Sequence, residues 1–351
     1  MIPLEEARDR ILGAVAPLEP RPVASADATG LVLAERIVAA EPVPPFANTG
    51  MDGYAVRAVD TPGRLRVVGE LPAGRAPTTP VGPGEAIRIM TGAPMPSGAD
   101  AVVMVERTRP DGDEVEVESA APGDHVRAAG GDVGAGDEVF APGTLLTPAH
   151  IGVLASLGRR SILCFPRPRV AVVSTGDELV VDGPLAPGQI RDSNRPMLLA
   201  LLAASGCEPI DGGVVGDDEA AIEAALTSAA AGADAVLTSG AVSVGDYDFV
   251  KVVMDRLARA RGGVSIWAQV AIKPAKPLAF AMLGPVPVFG LPGNPVSSRV
   301  SFECFARPAL RLLAGRTDVL PEPVWARAAA AMPRRADGKV HLDRVRRSEE
   351  H

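Results

Sequence analysis

Three stretches in the second half of the chain decide the fold: V-A-V-V-S-T-G-D-E at residues 170–178, D-A-V-L-T-S-G at 234–240 and P-V-F-G-L-P-G-N-P at 287–295. Each is an apolar run followed by small and polar residues, which is typical of a buried strand that ends in a tight loop. The surrounding sequence predicts a strand at 208–215 and helices at 194–204, 217–231, 248–259 and 296–313. Strands that alternate with helices pair in parallel, so we predict a three-layer α/β/α domain with a mostly parallel sheet.

The first half of the chain has a different pattern. Residues 3–16 place apolar side chains on one face and predict an amphipathic helix, and a second helix is predicted at 28–37. Residues 54–140 alternate short β-type runs with clusters of glycine and proline, which indicates a small β-rich domain. The predicted strands in that domain are 65–68, 85–89, 101–105 and 115–117, and a helix is predicted at 148–157.

Length and composition narrow the class of protein. The 351 residues are 47% hydrophobic and 22% charged, which indicates a globular protein of more than one domain. The net charge of −8 argues against nucleic-acid binding, and the longest apolar stretch, 197–204, is too short for a membrane span. The charged N-terminal sequence has no signal-peptide pattern, and the three cysteines form no metal or redox motif. We therefore expect a cytoplasmic protein with no nucleic-acid or membrane partner.

The loops after the three apolar runs are the predicted binding site. Ligands of open α/β sheets bind at the carboxyl ends of the strands, and small residues let the backbone approach a ligand closely. We predict a site for phosphate or another oxyanion, with ordinary capped turns as the alternative interpretation. The predicted substrate-binding residues are Ser174, Thr175, Gly176, Asp177, Ser239, Gly240, Ser243, Pro292, Gly293, Asn294 and Ser297.

Charged side chains follow the same strands. The carboxylates are Asp177, Glu178, Asp217, Asp218, Asp246 and Asp248. Because they would repel a phosphate, Mg²⁺ is the simple intermediary, and the alternative role is helix capping, which suits Asp217 and Asp218. Lys273 and Lys276 lie in I-K-P-A-K-P, which presents either fixed positive charge to an oxyanion or a solvated turn. No Walker loop is present, and no G-x-G-x-x-G follows the first strand.

Longer motifs resemble a known family. They include N-T-G-M-D-G-Y-A-V-R at 48–57, R-I-M-T-G-A-P-M-P-S-G-A-D-A-V-V-M-V-E at 88–106 and V-R-A-A-G-G-D-V-G-A-G-D at 126–137. T-S-G-A-V-S-V-G-D-Y-D at 238–248, K-P-A-K-P at 273–277 and F-G-L-P-G-N-P-V-S-S at 289–298 follow in the same order. Together they resemble the MoeA/gephyrin family of molybdopterin molybdenumtransferases, from near the N-terminus to about Gly315.

The resemblance implies an activity and an architecture. Family members insert molybdate into adenylylated molybdopterin, use Mg²⁺ and release AMP, as homodimers whose active site is shared between subunits. Molybdopterin adenylyltransferase and molybdoenzymes are the transient partners that it implies. It also implies an elongated N-terminal domain at 1–50 and 138–166, a β-rich domain at 51–137, a molybdopterin-binding α/β domain at 167–315 and a truncated C-terminal β-domain at 316–351.

The resemblance also implies the catalytic residues. Position by position, the family's motifs fall on Asp52, Thr91, Arg127, Asp132, Glu178, Asp217, Asp248 and Lys273. Glu178, Asp217 and Asp248 are the implied Mg²⁺ ligands. Lys273, Lys276 and Arg127 are then expected to hold molybdate or phosphate.

Four features depart from the family pattern. Ala241 and Ala275 replace glycines, and Gln269 stands where a basic residue is common. If either glycine needs a positive φ, alanine there is strained by roughly 1 kcal/mol or more. Residues 339–345 look like one strand with no partner after it.

Two alternative functions follow from the same sequence. Molybdopterin adenylyltransferases share the α/β domain but lack the long first half of this chain. A non-catalytic molybdopterin-binding scaffold is the alternative of a different class.

Overall fold

The structure is a computed structural model that describes residues 1–240, 249–332 and 336–345. The chain forms two compact units. The first, here the α/β unit, comprises Met1–Ala34, Pro142–Pro148 and Ser161–His351, and the second, the β-rich unit, comprises Glu35–Ala141 and Ala149–Arg160. The finer division into four domains stays a prediction.

A six-stranded sheet forms the centre of the α/β unit. Its strands, in spatial order, are Glu208–Val215, Arg169–Thr175, Ala235–Ser239, Val286–Leu291, Pro277–Leu283 and Ser265–Gln269. The first four are parallel to one another, and Pro277–Leu283 is antiparallel to its neighbours on both sides. This confirms the mostly parallel sheet, and the three predicted loop-bearing strands lie side by side at its centre.

Helices cover both faces of this sheet, which gives the predicted three layers. One buried core contains side chains of Leu4–Leu12, Asn194–Ala204 and Arg307–Leu313. The other contains side chains of Glu219–Gly232 and Phe249–Ala260. The helices of the unit are Leu4–Leu12, Asn194–Ala204, Glu219–Gly232, Phe249–Ala260, Pro295–Ser301 and Arg307–Leu313.

Two helical predictions needed correction. The helix predicted at 296–313 contains a π-helical segment, Phe302–Ala306, just before Pro308, whose ring lacks the N–H of a regular helix. At the start of the helix Glu219–Gly232, Asp218 alone is the N-cap and accepts from the N–H of Ala221 at 2.8 Å. Asp217 lies outside the helix, so its predicted capping role is wrong.

The antiparallel hairpin was not predicted. Its strand Ser265–Gln269 is only half-buried, whereas the other strand, Pro277–Leu283, is a buried apolar run that was not among the predicted strands. Ala279 pairs with Gly290 near the end of the neighbouring parallel strand. The turn of the hairpin, which carries Lys273 and Lys276, therefore lies at the edge of the sheet where the parallel strands end.

Smaller sheets complete the α/β unit. Arg21–Ala24, Ser161–Phe165 and Val32–Leu33 form one, Leu179–Val180 and Ile190–Arg191 pair in another, and Ile272–Lys273 pairs with Val340–His341. The helix predicted at 28–37 is wrong, since Gly30 has φ 81° and strands occupy part of that range. The strand predicted at 339–345 is shortened to Val340–His341, and its partner precedes it in the chain.

The β-rich unit contains the second large sheet. Its order is Ala101–Met104, Gly53–Val56, Glu85–Ile89, Gly63–Leu71, Glu114–Val117 and Thr108–Asp111. Two strand pairs, Asn48–Thr49 with Val126–Arg127 and Ile37–Val38 with Glu138–Phe140, flank it, and most of the helix Pro148–Ser156 follows. The predicted β-rich segment is thus confirmed. Within the described ranges, no helix is long and apolar enough to cross a membrane.

Candidate functional site

A cavity of about 210 Å³ opens where the central strands of the α/β sheet end. The strands Arg169–Thr175 and Ala235–Ser239 supply its floor, and the helix Asn194–Ala204 begins at its side. It is the position at which open α/β sheets bind ligands. The lining residues are Thr175, Glu178, Leu179, Ile190, Arg191, Asp192, Ser193, Asn194, Ser239, Gly240, Gly293 and Pro295.

Gly240 allows the strand ends to approach each other. Its φ is 108°, and a Cβ built there would lie 2.1 Å from the carbonyl oxygen of Thr175. No side chain fits at that distance, so the second loop requires glycine at this position.

A buried asparagine ties the strand ends together. The Nδ2 of Asn194 donates to the Oγ of Ser239 and to the carbonyl oxygen of Gly293, both at 2.8 Å. Asn194 is 7% exposed, and its Oδ1 has no partner among the described residues. One side chain thereby fixes two of the three predicted loops.

Beside it, Asp192 and Arg195 form a buried ion pair that the sequence reasoning missed. The Asp192 carboxylate accepts from the Oγ of Ser174 at 3.1 Å and from the Nε of Arg195 at 2.8 Å. The two side chains are 2% and 12% exposed. Arg195 also pairs with Asp211, whose pKa is lowered chiefly by the N–H of Gly213 and then by Arg195. An aspartate and an arginine three apart at a helix start was the available signal.

Two predicted acidic residues bond each other's backbone. The N–H of Asp217 donates to the Oδ1 of Asp177 at 3.0 Å, and the N–H of Asp177 points to the Oδ2 of Asp217 at 3.5 Å. Glu178 lines the cavity, with its carboxylate folded against Gly176. These carboxylates therefore share the ends of two adjacent parallel strands.

The third predicted metal ligand, Asp248, lies outside the described residues, as does Ser243. Within the ranges that the structure describes, no group of three or more acidic, histidine or cysteine side chains forms a metal site.

The predicted lysines are not among the residues that line the cavity and lie further along the same end of the sheet. Lys273 and Lys276 are exposed on the turn between the antiparallel strands. That turn is closed by a bond from the N–H of Val270 to the carbonyl oxygen of Lys276 at 2.8 Å. The hairpin is three strand steps from Arg169–Thr175, which corresponds to about 14 Å at the usual strand spacing. The sheet edge thus carries negative charge on one side and positive charge on the other.

The third loop is partly explained by capping. The Oδ1 of Asn294 accepts from the N–H groups of Val296 and Ser297, at 3.0 and 3.2 Å. Asn294 is therefore an N-cap, in agreement with the alternative interpretation of this loop. Pro292 and Ser297 flank the cavity without lining it, whereas Gly293 lines it.

The remaining predicted residues gather in the β-rich unit. The Oδ1 of Asp52 accepts from both the N–H and the Oγ1 of Thr91, each at 2.7 Å. These two bonds, backbone first, lower the pKa of Asp52, and the charge of Arg88 adds to them. Arg127 pairs with Asp132 at 2.6 Å. The N–H of Gly50, two residues before Asp52, donates to the carbonyl oxygen of His125, two residues before Arg127, so the loops that carry the two pairs lie together. All four predicted side chains are exposed on one group of loops.

Fold and site together define a multidomain α/β protein whose ligand cavity lies at the carboxyl ends of the sheet. Two family models match the chain: the MoeA N-terminal region (domain I and II) at residues 2–158, and a probable molybdopterin binding domain at residues 171–312.

Curated relatives and solved structures agree with these matches. Molybdopterin molybdenumtransferase 2 of Mycobacterium tuberculosis is 44% identical over 306 residues, 84% of this chain and 75% of the relative. The molybdopterin molybdenumtransferase of Haemophilus influenzae is 39% identical over 350 residues, 98% and 85% of the two chains. Two structures of the molybdopterin biosynthesis MoeA protein of Pyrococcus horikoshii align with TM-scores of 0.78 and 0.75, at 34% and 32% identity, over 91% of this chain and 81% of theirs.

The chain belongs to the MoeA family of molybdopterin molybdenumtransferases. It is a transferase of molybdenum cofactor biosynthesis, and the family resemblance seen in its motifs is confirmed.

Proposed function

We propose that the protein inserts molybdate into adenylylated molybdopterin, with Mg²⁺-dependent release of AMP, in the cytoplasm. The observation that carries the proposal is the separation of charge along one end of the sheet, with Glu178 and Asp217 after two neighbouring parallel strands and Lys273 on the hairpin turn further along. A ligand with a diphosphate at one end and an oxyanion at the other matches this separation. Carboxylates bind phosphate only through a cation, whereas lysine binds an oxyanion directly.

The acidic side of the cavity fits Mg²⁺. Glu178 and Asp217 offer carboxylate oxygens at the ends of neighbouring strands, and we propose Asp248 as the third ligand. When bound, Mg²⁺ neutralises charge on the phosphate oxygens from which AMP leaves. The predicted substrate-binding loops stay part of this proposal.

The chain's own side chains hold the reactants in place. Lys273 and Lys276 bind molybdate by charge, while Asn194 keeps the Ser239 and Gly293 loops at a fixed distance. Positioning of this kind lowers the barrier because the reacting groups no longer have to find each other. Thr175 and Ser239 are nearly fully buried and orient the cavity floor.

We further propose a homodimer in which the loops around Asp52, Thr91, Arg127 and Asp132 of one subunit complete the cleft of the other. The support is that these four charged or polar side chains are exposed in one group and already paired with each other.

The test is cofactor formation from purified protein, adenylylated molybdopterin, Mg²⁺ and molybdate, read as AMP release and as activity of a reconstituted molybdoenzyme. Glu178→Gln is expected to lower the rate by about 100-fold, the usual cost of one electrostatic contact in a transition state, and Lys273→Gln is expected to lower it by raising the KM for molybdate. Their matched controls, Glu208→Gln at the opposite end of the neighbouring strand and Lys251→Gln on a helix, are expected to keep wild-type rates.

Wild-type rates in both site variants would overturn the residue assignment. Nucleotide binding without turnover by the unaltered chain would instead indicate the non-catalytic scaffold.

A further inference from the structure

Two distant segments of the chain pair with the same edge of the hairpin turn. The N–H of Ile2 donates to the carbonyl oxygen of Gln269, and the N–H of Ala271 donates to the carbonyl oxygen of Ile2, both at 2.8 Å. Immediately further along, the N–H of Val340 donates to the carbonyl oxygen of Ala271 and that of Leu342 to the carbonyl oxygen of Lys273, also at 2.8 Å. Residues 269–273 are thus held along one side by backbone bonds.

These bonds fix the backbone that carries the lysines. Lys273 lies opposite His341 in a parallel pair. Ala275, two residues on, is 4% exposed and anchored in the core of the α/β unit. The start of the turn is paired and its middle is buried, whereas the side chains of Lys273 and Lys276 are exposed to solvent.

The segment 337–342, which we call the strap, is itself tied together. The Asp337 carboxylate bonds the N–H of Lys339 at 3.2 Å, the Nζ of Lys339 at 3.3 Å and the Nε2 of His341 at 3.0 Å. Leu342 then packs against the core. An open groove of about 680 Å³ separates the strap from the start of the first helix. Backbone bonds to the hairpin, and not broad side-chain packing, therefore hold the strap in place.

We propose that the strap is a positioning element that holds Lys273 and Lys276 at the oxyanion side of the cavity. This inference rests on the proposed function, because it takes those lysines to bind molybdate. The strap touches no reactant and acts through the hairpin backbone. It therefore sets the affinity for molybdate and leaves the chemical step to other groups.

Val340→Pro tests the proposal, since proline removes the N–H that bonds Ala271 and keeps the other donor to the hairpin, the N–H of Leu342. The KM for molybdate is expected to rise about tenfold, equivalent to about 1.4 kcal/mol of binding, with kcat unchanged. Hydrogen exchange at the amides of residues 271–275 is expected to accelerate. Val340→Ala is the matched control, because it keeps the N–H and trims a side chain that is 42% exposed.

A second, milder variant guards against local unfolding. Asp337→Ala removes the side-chain bonds of the strap and keeps every backbone donor to the hairpin. A smaller rise in KM in the same direction is expected, with an unchanged midpoint of thermal unfolding.

The outcomes separate this inference from the proposed function. Faster exchange with an unchanged KM in Val340→Pro would overturn the positioning role and leave a purely structural one. If the unaltered chain shows no turnover, the proposed function fails. Calorimetric titration with molybdate alone then decides: tenfold weaker binding by Val340→Pro supports the strap, and equal or absent binding in both proteins overturns it.

Discussion

The end of the α/β sheet and the loop cluster of the β-rich unit both hold charged residues, but they hold them in opposite ways. At the sheet end, Asp192 and Asn194 are almost fully buried and bonded to neighbours on other strands. In the loop cluster, the side chains of Arg127 and Asp132 are 53% and 54% exposed and bond each other. A buried polar group must be satisfied by the fold, whereas an exposed one can be altered at little cost. The sheet end is therefore fixed by its own buried bonds, whereas the loop cluster is open to solvent.

The largest expected effect tests how tightly the sheet end is built. Gly240→Ala is expected to destabilise the α/β unit by about 3 kcal/mol, because the new Cβ meets the Thr175 carbonyl and the backbone has a positive φ. Urea unfolding followed by tryptophan fluorescence measures this, since both tryptophans lie in that unit. Gly206→Ala, with φ 80° and open space around the Cβ, is the control and should cost only about 1 kcal/mol.

The buried ion pair should come next. Asp192→Ala removes the carboxylate and leaves Arg195, 12% exposed, with Asp211 as its remaining partner, so a loss of about 2–3 kcal/mol is expected. Asp211→Ala removes a carboxylate that is 52% exposed and should cost less than about 1 kcal/mol. Equal losses in the same urea assay would show that burial does not decide the contribution of these groups.

Ala275 offers a smaller effect that joins strain and packing. Its φ is 70°, where a β-branched side chain is strongly disfavoured, so Ala275→Val is expected to cost about 2 kcal/mol. Ala275→Gly relieves the strain but loses a buried methyl group worth about 0.8 kcal/mol, so a change under about 1 kcal/mol is expected. Thermal unfolding compares the three proteins, and a stabilised valine variant would contradict the strained backbone.

The exposed pair is expected to separate stability from activity. Arg127→Ala should change the free energy of unfolding by less than about 1 kcal/mol, because the pair is open to solvent. Cofactor formation should nevertheless fall if the loop cluster completes the cleft of a partner subunit. A large loss of stability with full activity would reverse the contrast between the two regions.

The smallest effect is a shift in one pKa. Thr91→Val removes the hydroxyl donor but not the backbone donor, so the pKa of Asp52 should rise part of the way to its ordinary value. A carboxyl group with a lowered pKa contributes stability above its unfolded pKa and loses it as the pH falls through the folded value. The contribution of Asp52 is thus present at neutral pH and disappears only in acid. Carboxyl NMR titration measures the shift, and an unchanged pKa would exclude the hydroxyl bond.

The sequence predicted those parts of the fold that depend on local pattern. The strand at 170–173 and the helix at 194–204 have clear apolar patterns, and the structure confirms them, together with the strand at 208–215. The hairpin around Lys273 was missed because Ser265–Gln269 is only half-buried and because backbone bonds to the distant residues Ile2 and Val340 stabilise its turn. The helix predicted at 28–37 failed for the same reason, since Leu33 bonds the distant residue Thr144.

The candidate site shows the same division. Small residues after the strands identified the Thr175 and Ser239 loops, because that pattern is local. The role of Asn194 was invisible, since its two partners are 45 and 99 residues away in the chain. The charge separation along the end of the sheet also depends on strand order, which the motifs alone do not give.

The α/β unit is assembled from separate segments of the chain, and this delays its folding during synthesis. The first helix, Leu4–Leu12, packs against Phe302–Ala306 and Arg307–Leu313, so nearly the whole unit must be synthesised before its apolar face is covered. At ordinary ribosomal speeds of 5–20 residues per second, those roughly 300 residues take about 15 to 60 s. The long segment Glu35–Ala141 is complete well before that and is free to fold first. During this interval the apolar face formed by Leu4, Ala7 and Ile11 is left exposed to water.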